Sequence, residues 1–131
     1  MRALVDTTVW SLIFRRKETE QSDAAKRLEL LLLHDSALII GAVRQEVLSG
    51  ISDTLVYEKL RIELQRFSDM PVNTEDYELA ANFSNICRRN GIQGSNVDFL
   101  ICAIAHRNSM PIFTTDKDFD LYAKYLPIRL M

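Results

Sequence analysis

The apolar positions of this chain follow two alternating patterns. Short continuous apolar runs at 2–6, 37–41 and 111–115 are typical of strands buried inside a sheet. Longer segments, with apolar residues three or four positions apart, are typical of helices packed on one face. The pattern predicts a final strand in "PIRLM" and helices over 8–14, 23–34, 42–50, 53–67, 74–91, 97–108 and 117–124.

Strands that alternate with helices indicate an α/β fold with a mostly parallel sheet covered by helices on both faces. The length of 131 residues predicts one domain that spans 1–131. In parallel sheets of this kind, ligands bind beyond the carboxyl ends of the strands. Polar residues at the carboxyl ends of the predicted strands are therefore the first candidates for a binding or catalytic site.

Composition narrows the class of protein. Hydrophobic residues make up 47% and charged residues 26%, which is typical of a soluble globular domain. The net charge of −2 gives no general nucleic-acid signal, although "FRRKE" at 14–18 and "CRRNG" at 87–91 are candidate contacts for an RNA backbone. Cys87 and Cys102 are too few and too widely spaced for a disulfide framework or a zinc site. We expect a reduced, cytoplasmic protein with neither a signal peptide nor a membrane span.

Acidic residues recur where strands end. Asp6 ends "RALVD" and Asp116 ends "PIFTTD", each beside hydroxyl residues. A helix cap would explain either aspartate alone, but two parallel strands with this ending place two carboxylates at one edge. Glu46 lies five residues after the strand at 37–41, near the same edge. Asp98 opens the helix "VDFLICAIAH", where acids are also favoured for purely structural reasons.

Four carboxylates at one edge repel one another unless a cation binds between them. Mg²⁺ and Mn²⁺ prefer oxygen ligands of this kind. A metal held beside a phosphodiester polarises the phosphoryl oxygen and lowers the pKa of an attacking water. The acids therefore predict metal-dependent hydrolysis of a phosphoester.

Four segments, in this order, resemble the PIN-domain ribonucleases: "LVDTTVW", "AVRQEVLSG", "NVDFLICAIA" and "IFTTDKDF". Among these, the chain is most similar to the VapC-type toxins of toxin–antitoxin pairs, and the resemblance spans essentially all of it. The resemblance implies a PIN-like three-layer α/β/α sandwich and Mg²⁺- or Mn²⁺-dependent cleavage of RNA. It also implies a cognate antitoxin and a homodimer.

The resemblance assigns roles to individual residues. The family's four acids match Asp6, Glu46, Asp98 and Asp116, which become the predicted catalytic and metal-binding residues. Thr8 matches a hydroxyl position that commonly supports the first acid. Polar neighbours with a predicted supporting role are Thr115 and Asn96.

Other polar residues have structural explanations. Asp118 and Asp120 follow the predicted strand closely, and we expect them to begin the next helix and face solvent. His34 and His106 lie near predicted helix ends, where exposed histidines are common.

Three alternative functions remain open at this point. A phosphoacceptor receiver domain would need an acidic pair after the first strand and a late lysine, whereas the first strand ends in one acid. A phosphatase of the haloacid dehalogenase type needs Asp-x-Asp, but position 8 is threonine. A catalytically inactive PIN scaffold would be expected to lose acids, and this chain retains all four.

Overall fold

The structure is a computed structural model that describes residues 1–15 and 22–131. The side chains at 14–21 lie outside that description. They include the basic segment 14–18 and Phe14, an apolar residue of the helix predicted over 8–14 and thus a candidate for the core. Within the described ranges, no helix is long and apolar enough to cross a membrane.

Three parallel strands form the sheet. They are β1 (Ala3–Val5), β2 (Ala37–Leu38) and β3 (Ile112–Phe113), with β1 in the centre. In the register, Leu4 pairs with Leu38 on one side and Ile112 on the other. All three residues of β1 are fully buried, as expected for a central strand with helices on both faces. The predicted parallel sheet is therefore confirmed, with strands shorter than their apolar runs.

The helices begin and end close to their predicted positions. Polar side chains cap several of them: Ser22, Asp53 and Asn73 each accept a hydrogen bond from a backbone amide of the following turn. The first helix continues as a 3₁₀ helix over Ser11–Arg15. The α-helices are α1 (Thr7–Trp10), α2 (Asp23–Leu33), α3 (Gly41–Ser49), α4 (Thr54–Leu64), α5 (Thr74–Arg89), α6 (Asn96–Arg107) and α7 (Asp118–Tyr122).

The helix α6 lies at the centre of the core. Seven consecutive residues, 99–105, are buried, so the helix is covered on every side rather than along one stripe. The helix α5 packs against it and contributes Ala80, Phe83 and Cys87 to the core. Cys102 is also buried, and both cysteines are free thiols. This rigid interior fixes the first turn of α6, where Asp98 lies.

Two sequence predictions are wrong. Leu55, an apolar position of the helix predicted over 53–67 and therefore a candidate for the core, is 84% exposed. The reason is that α4 faces inward through Leu60 and Leu64, and position 55 does not share that face. The segment "PIRLM" forms no strand. It contributes one bridge, between Leu130 and Ile112, since the preceding residues turn and only this position reaches the edge of β3.

Candidate active site

One cleft collects the predicted acids. It has a volume of about 420 Å³ and lies beyond the carboxyl ends of β1 and β3. We call it the acid cleft; its lining residues are Asp6, Thr7, Thr8, Ser11, Leu12, Glu46, Asp98, Thr115 and Asp116. Among the described residues, no lysine, arginine or histidine lines it. Residues that are up to 110 positions apart in sequence thus face one space.

Asp6 is the most buried of these acids, with 3% of its surface exposed. Its Oδ1 accepts a hydrogen bond from the Thr7 amide at 2.7 Å, so it does cap α1. Its Oδ2 accepts from the hydroxyls of Thr114 at 2.7 Å and Thr8 at 3.1 Å. Burial raises the pKa of Asp6; these hydrogen bonds oppose that rise, and the nearby charge of Asp116 adds to it. Capping and a place in the acid cleft are compatible roles for this residue.

Two threonine hydroxyls connect the strand ends. The Asp116 amide donates to Thr114 Oγ1 at 3.0 Å, and the Thr115 amide donates to Thr8 Oγ1 at 3.3 Å. Thr8 and Thr114 therefore bind both Asp6 and the backbone that leads into Asp116. This arrangement holds the two carboxylates at a fixed separation.

Asp116 also begins the last helix. Its Oδ1 accepts from the Asp118 amide at 2.9 Å. Asp118 and Asp120 lie in the first turn of α7 and are exposed, which confirms that they begin this helix and face solvent.

Asp98 is not the cap of its helix. Ser95 caps α6, because its hydroxyl accepts from the Asp98 amide at 3.1 Å. The Asp98 carboxylate instead accepts a hydrogen bond from the Tyr122 hydroxyl at 2.6 Å through Oδ2. Burial raises the pKa of Asp98, and the charges of Asp6 and Asp116 raise it further, while the hydrogen bonds of Tyr122 and Ser95 lower it. The half-buried carboxylate thus belongs electrostatically to the acid cleft.

The other residues that the sequence singled out lie at the margin of the acid cleft or outside it. Glu46 is exposed on the second turn of α3 and lines the acid cleft. Thr115 lines it too, but its side chain is exposed, and its recorded contact uses the backbone amide. Asn96 lines a neighbouring cleft of about 510 Å³ between α5 and α6. The histidines His34 and His106 line neither space within the described chain.

Sequence reasoning missed Thr114 and Tyr122. Thr114 could have been found from strand register: Val5 pairs with Phe113, so the next residues, Asp6 and Thr114, come opposite each other. Tyr122 had no such signal, because 24 positions separate it from Asp98 and only the packing of α7 brings them together.

The donor chemistry of the acid cleft suits a hard divalent cation. Four carboxylates face one space without a basic side chain, and Thr7 Oγ1 is buried beside them with no hydrogen-bond partner among the described residues. In the present side-chain arrangement, no group of three or more His, Cys, Asp or Glu residues within 1–15 and 22–131 lies close enough to hold an ion. Mutual repulsion of uncompensated carboxylates favours this wider spacing. The residues fit Mg²⁺ or Mn²⁺ in kind.

Comparison with known families identifies the class. The PIN domain family model matches residues 3–125. The chain belongs to the PIN domain family, whose members are generally nucleases. This family membership excludes the receiver domain and the dehalogenase-type phosphatase.

Solved structures share the fold at low sequence identity. FitAcB from Neisseria gonorrhoeae superposes with a TM-score of 0.76 and 18% identity, covering 98% of this chain and 96% of that one. VapBC2 from Rickettsia felis, bound to a DNA fragment from its promoter, gives 0.74 and 18%, covering 100% and 98%. VapBC-5 from Mycobacterium tuberculosis, a member of a family of toxin–antitoxin systems, gives 0.71 and 17%, covering 99% and 97%. No curated protein matches the sequence.

Proposed function

We propose that this PIN domain is a metal-dependent endoribonuclease and the toxin of a toxin–antitoxin pair. The observation that supports the proposal most directly is the acid cleft, where four carboxylates lie together without a compensating basic side chain from the described chain. Burying and clustering carboxylates is costly, so an arrangement of this kind indicates a site for an external cation.

The proposed ligands are Asp6, Glu46, Asp98 and Asp116. A bound Mg²⁺ or Mn²⁺ would polarise a phosphoryl oxygen and lower the pKa of an attacking water. Asp6 is held in place by Thr114 and Thr8, so its carboxylate needs little reorganisation on binding. Glu46, which is exposed at the mouth, is the acid with the greatest freedom to move toward a ligand.

The proposed reaction is hydrolysis with water as nucleophile. A new bond forms between the water oxygen and phosphorus, the bond from phosphorus to the 3′ oxygen breaks, and the leaving oxygen takes up a proton. The products are then a 5′-phosphate and a 3′-hydroxyl. Attack by the neighbouring 2′-hydroxyl would instead leave a 2′,3′-cyclic phosphate, so the product ends distinguish the two mechanisms.

The test is cleavage of total RNA by the purified protein with Mg²⁺, with Mn²⁺ and with excess EDTA, followed by analysis of the product ends. We expect cleavage only with metal, and 5′-phosphate ends. Full activity in EDTA, or cyclic phosphate ends, would exclude this mechanism. An inactive PIN scaffold, the remaining alternative, predicts no cleavage under any of these conditions.

We further propose a protein partner, the antitoxin. Support comes from the complexes named above and from a partly apolar cleft, one of whose lining residues, Ile13, directly follows the acid-cleft residue Leu12 in sequence. A small cleft of about 140 Å³ lies between the 3₁₀ helix, α2 and α4, and its walls include Ile13, Leu32 and Leu64. Elsewhere on α2, Leu30 is 59% exposed and Leu33 is 77% exposed. An apolar helix followed by an Arg or Lys side chain would match this surface and the acid cleft together.

Coexpression tests the partner. We expect the protein to stop growth of a permissive host when expressed alone, and the product of the neighbouring small reading frame to relieve this. The substitution of both Leu30 and Leu33 by serine should abolish relief without removing toxicity, whereas the exposed Leu121→Ser serves as the matched control. Harmless expression with intact host RNA would contradict the toxin assignment.

Three further features stay proposals of the same kind. We propose that residues 1–131 form one PIN domain, that the protein acts in the cytoplasm, and that it is a homodimer. Sedimentation velocity of the purified protein tests the last of these directly.

A further inference from the structure

We propose that Tyr122 is the positioning residue for Asp98, and that Gly94 provides the space that lets it act. The inference rests on the proposed function, because it assumes that Asp98 is a metal ligand. It assigns a role in the site to α7 and to the loop before α6.

The orientation of Tyr122 is fixed by its surroundings. The residue is fully buried, and its ring lies 5.1 Å from the ring of Phe99 and 5.1 Å from that of Phe119, centroid to centroid. Between two aromatic neighbours, the ring has little room to change its rotamer. Its hydroxyl donates to Asp98 Oδ2 at 2.6 Å, a distance typical of a hydroxyl bonded to a charged carboxylate.

The group that accepts this hydrogen bond, the Asp98 carboxylate, indicates a functional role for Tyr122 in addition to a structural one. A buried tyrosine hydroxyl needs a partner, and a backbone carbonyl would satisfy it without placing a charge in a partly buried position. Here the partner is a carboxylate that lines the acid cleft. The bond fixes Asp98 in one orientation before any ligand arrives. The short helix α7 begins just after Asp116 and carries Tyr122, which binds Asp98. It is therefore linked to two of the four acids.

Gly94 is required by the close approach of this tyrosine. A Cβ atom at position 94 would lie 2.8 Å from Tyr122 Cζ and 2.9 Å from Phe99 Cζ, and closer still to the Tyr122 hydroxyl oxygen. Any larger residue therefore forces Tyr122, Phe99 or the loop that carries position 94 to shift, and each of these shifts disturbs the packing that holds the Tyr122 hydroxyl against Asp98. The requirement is one of space rather than of backbone conformation.

The test removes the hydroxyl and retains the ring. We expect Tyr122→Phe to bind Mn²⁺ about tenfold or more weakly in calorimetry without RNA, as is typical when a partner of a metal ligand is lost. The turnover number should fall at fixed Mn²⁺, while the KM for RNA stays unchanged. Tyr125→Phe is the matched control, because Tyr125 is 45% exposed and its removal should alter neither quantity.

Gly94→Ala provides a second, independent variant. We expect it to weaken Mn²⁺ binding in the parent but to add little in the Tyr122→Phe background, since both changes act on the same bond. Unfolding midpoints in EDTA confirm that each variant is folded. A purely structural tyrosine predicts lower stability with unchanged Mn²⁺ affinity.

The outcomes separate the two proposals. A parent that binds Mn²⁺ and cleaves RNA, with a Tyr122→Phe variant of equal affinity, would overturn the positioning role and leave the proposed function intact. A parent that binds no Mn²⁺ would overturn the proposed function, and this inference with it. Fully additive losses in the double variant would overturn the role of Gly94 alone.

Discussion

Two aspartates in this protein are equally buried but differently paired. Asp6 and Asp76 are each 3% exposed. The carboxylate of Asp76, in the first turn of α5, pairs with Arg107 Nε at 2.7 Å and accepts from the Asn73 amide at 3.0 Å. Asp6 accepts from neutral donors only, namely a backbone amide and two threonine hydroxyls, and its charged neighbours are other acids.

The comparison distinguishes a carboxylate that the chain itself pairs with a positive charge from one whose charged neighbours are other acids. A buried charge costs free energy unless an opposite charge compensates it. At Asp76 the chain itself supplies that charge, through Arg107 at the end of α6, and this ion pair connects α5 with α6. At Asp6 the described chain supplies none, so under the proposed function a bound cation would compensate the charge. The proposed function therefore implies that some stability is given up at Asp6.

The largest expected effect follows from removing one charge of the acid cleft. We predict that Asp98→Asn abolishes RNA cleavage and stabilises the metal-free protein by about 1 kcal/mol, because it relieves repulsion and desolvation while keeping the side-chain shape. Added Mg²⁺ should stabilise the parent more than the variant, since only the parent has the full ligand set. Thermal melts in EDTA and in Mg²⁺ measure both effects.

A purely structural Asp98 predicts a different result. Its substitution would then be neutral or destabilising in EDTA, and the response to Mg²⁺ would equal that of the parent. That pair of observations would remove Asp98 from the site and contradict the four-acid arrangement.

The corresponding substitution at Asp76 should lower the stability of the protein, whereas Asp98→Asn is expected to raise it. We predict that Asp76→Asn destabilises the protein by about 2 kcal/mol, because it breaks a buried ion pair whose arginine is only partly exposed. Metal response and RNA cleavage should persist while the protein is folded. Urea unfolding, with and without Mg²⁺, tests this; a lost metal response would show that the two regions are not independent.

The two threonines before Asp116 test how Asp6 is held. We predict that Thr114→Val lowers the cleavage rate about tenfold, a loss of about 1.4 kcal/mol, because Asp6 loses its shortest hydroxyl donor. Thr115→Val should have little effect, since its side chain is exposed. Single-turnover rates at saturating metal compare the two variants. Equal losses would assign the role to both hydroxyls.

The smallest effect is a pH dependence in EDTA. A carboxyl group whose pKa is higher in the folded state than in the unfolded state destabilises the protein when it is ionised. This cost disappears as the pH falls from the folded-state pKa to the unfolded-state pKa, because the group becomes protonated. Because the pKa of Asp98 is raised, the stability advantage of Asp98→Asn should be largest near neutral pH and shrink in acid. Urea unfolding of both proteins between pH 7 and pH 4 measures the difference. A stability advantage of Asp98→Asn that increased as the pH fell would contradict this prediction.

The sequence by itself determined the alternation of strands and helices, the parallel sheet, and the edge at which Asp6 and Asp116 lie. These features depend on local patterns, namely apolar runs, helical spacing and the acid that directly follows a strand. Polar starts of helices, such as Asp118, were predictable for the same reason. The placement of Glu46 near this edge also followed, because it lies in the first turns of a helix that follows a strand. No strand directly precedes α6, so Asp98 was matched to the site through the family resemblance.

Only the tertiary structure decided which side chains meet. Thr114 rather than Thr115 bonds Asp6 because the register of β1 and β3 sets which residue lies opposite. Tyr122 reaches Asp98 because the packing of α7 on α6 closes a gap of 24 residues. Leu55 is exposed because packing selected a different face of α4. Such contacts depend on distances between elements, and a linear pattern of residue types does not contain those distances.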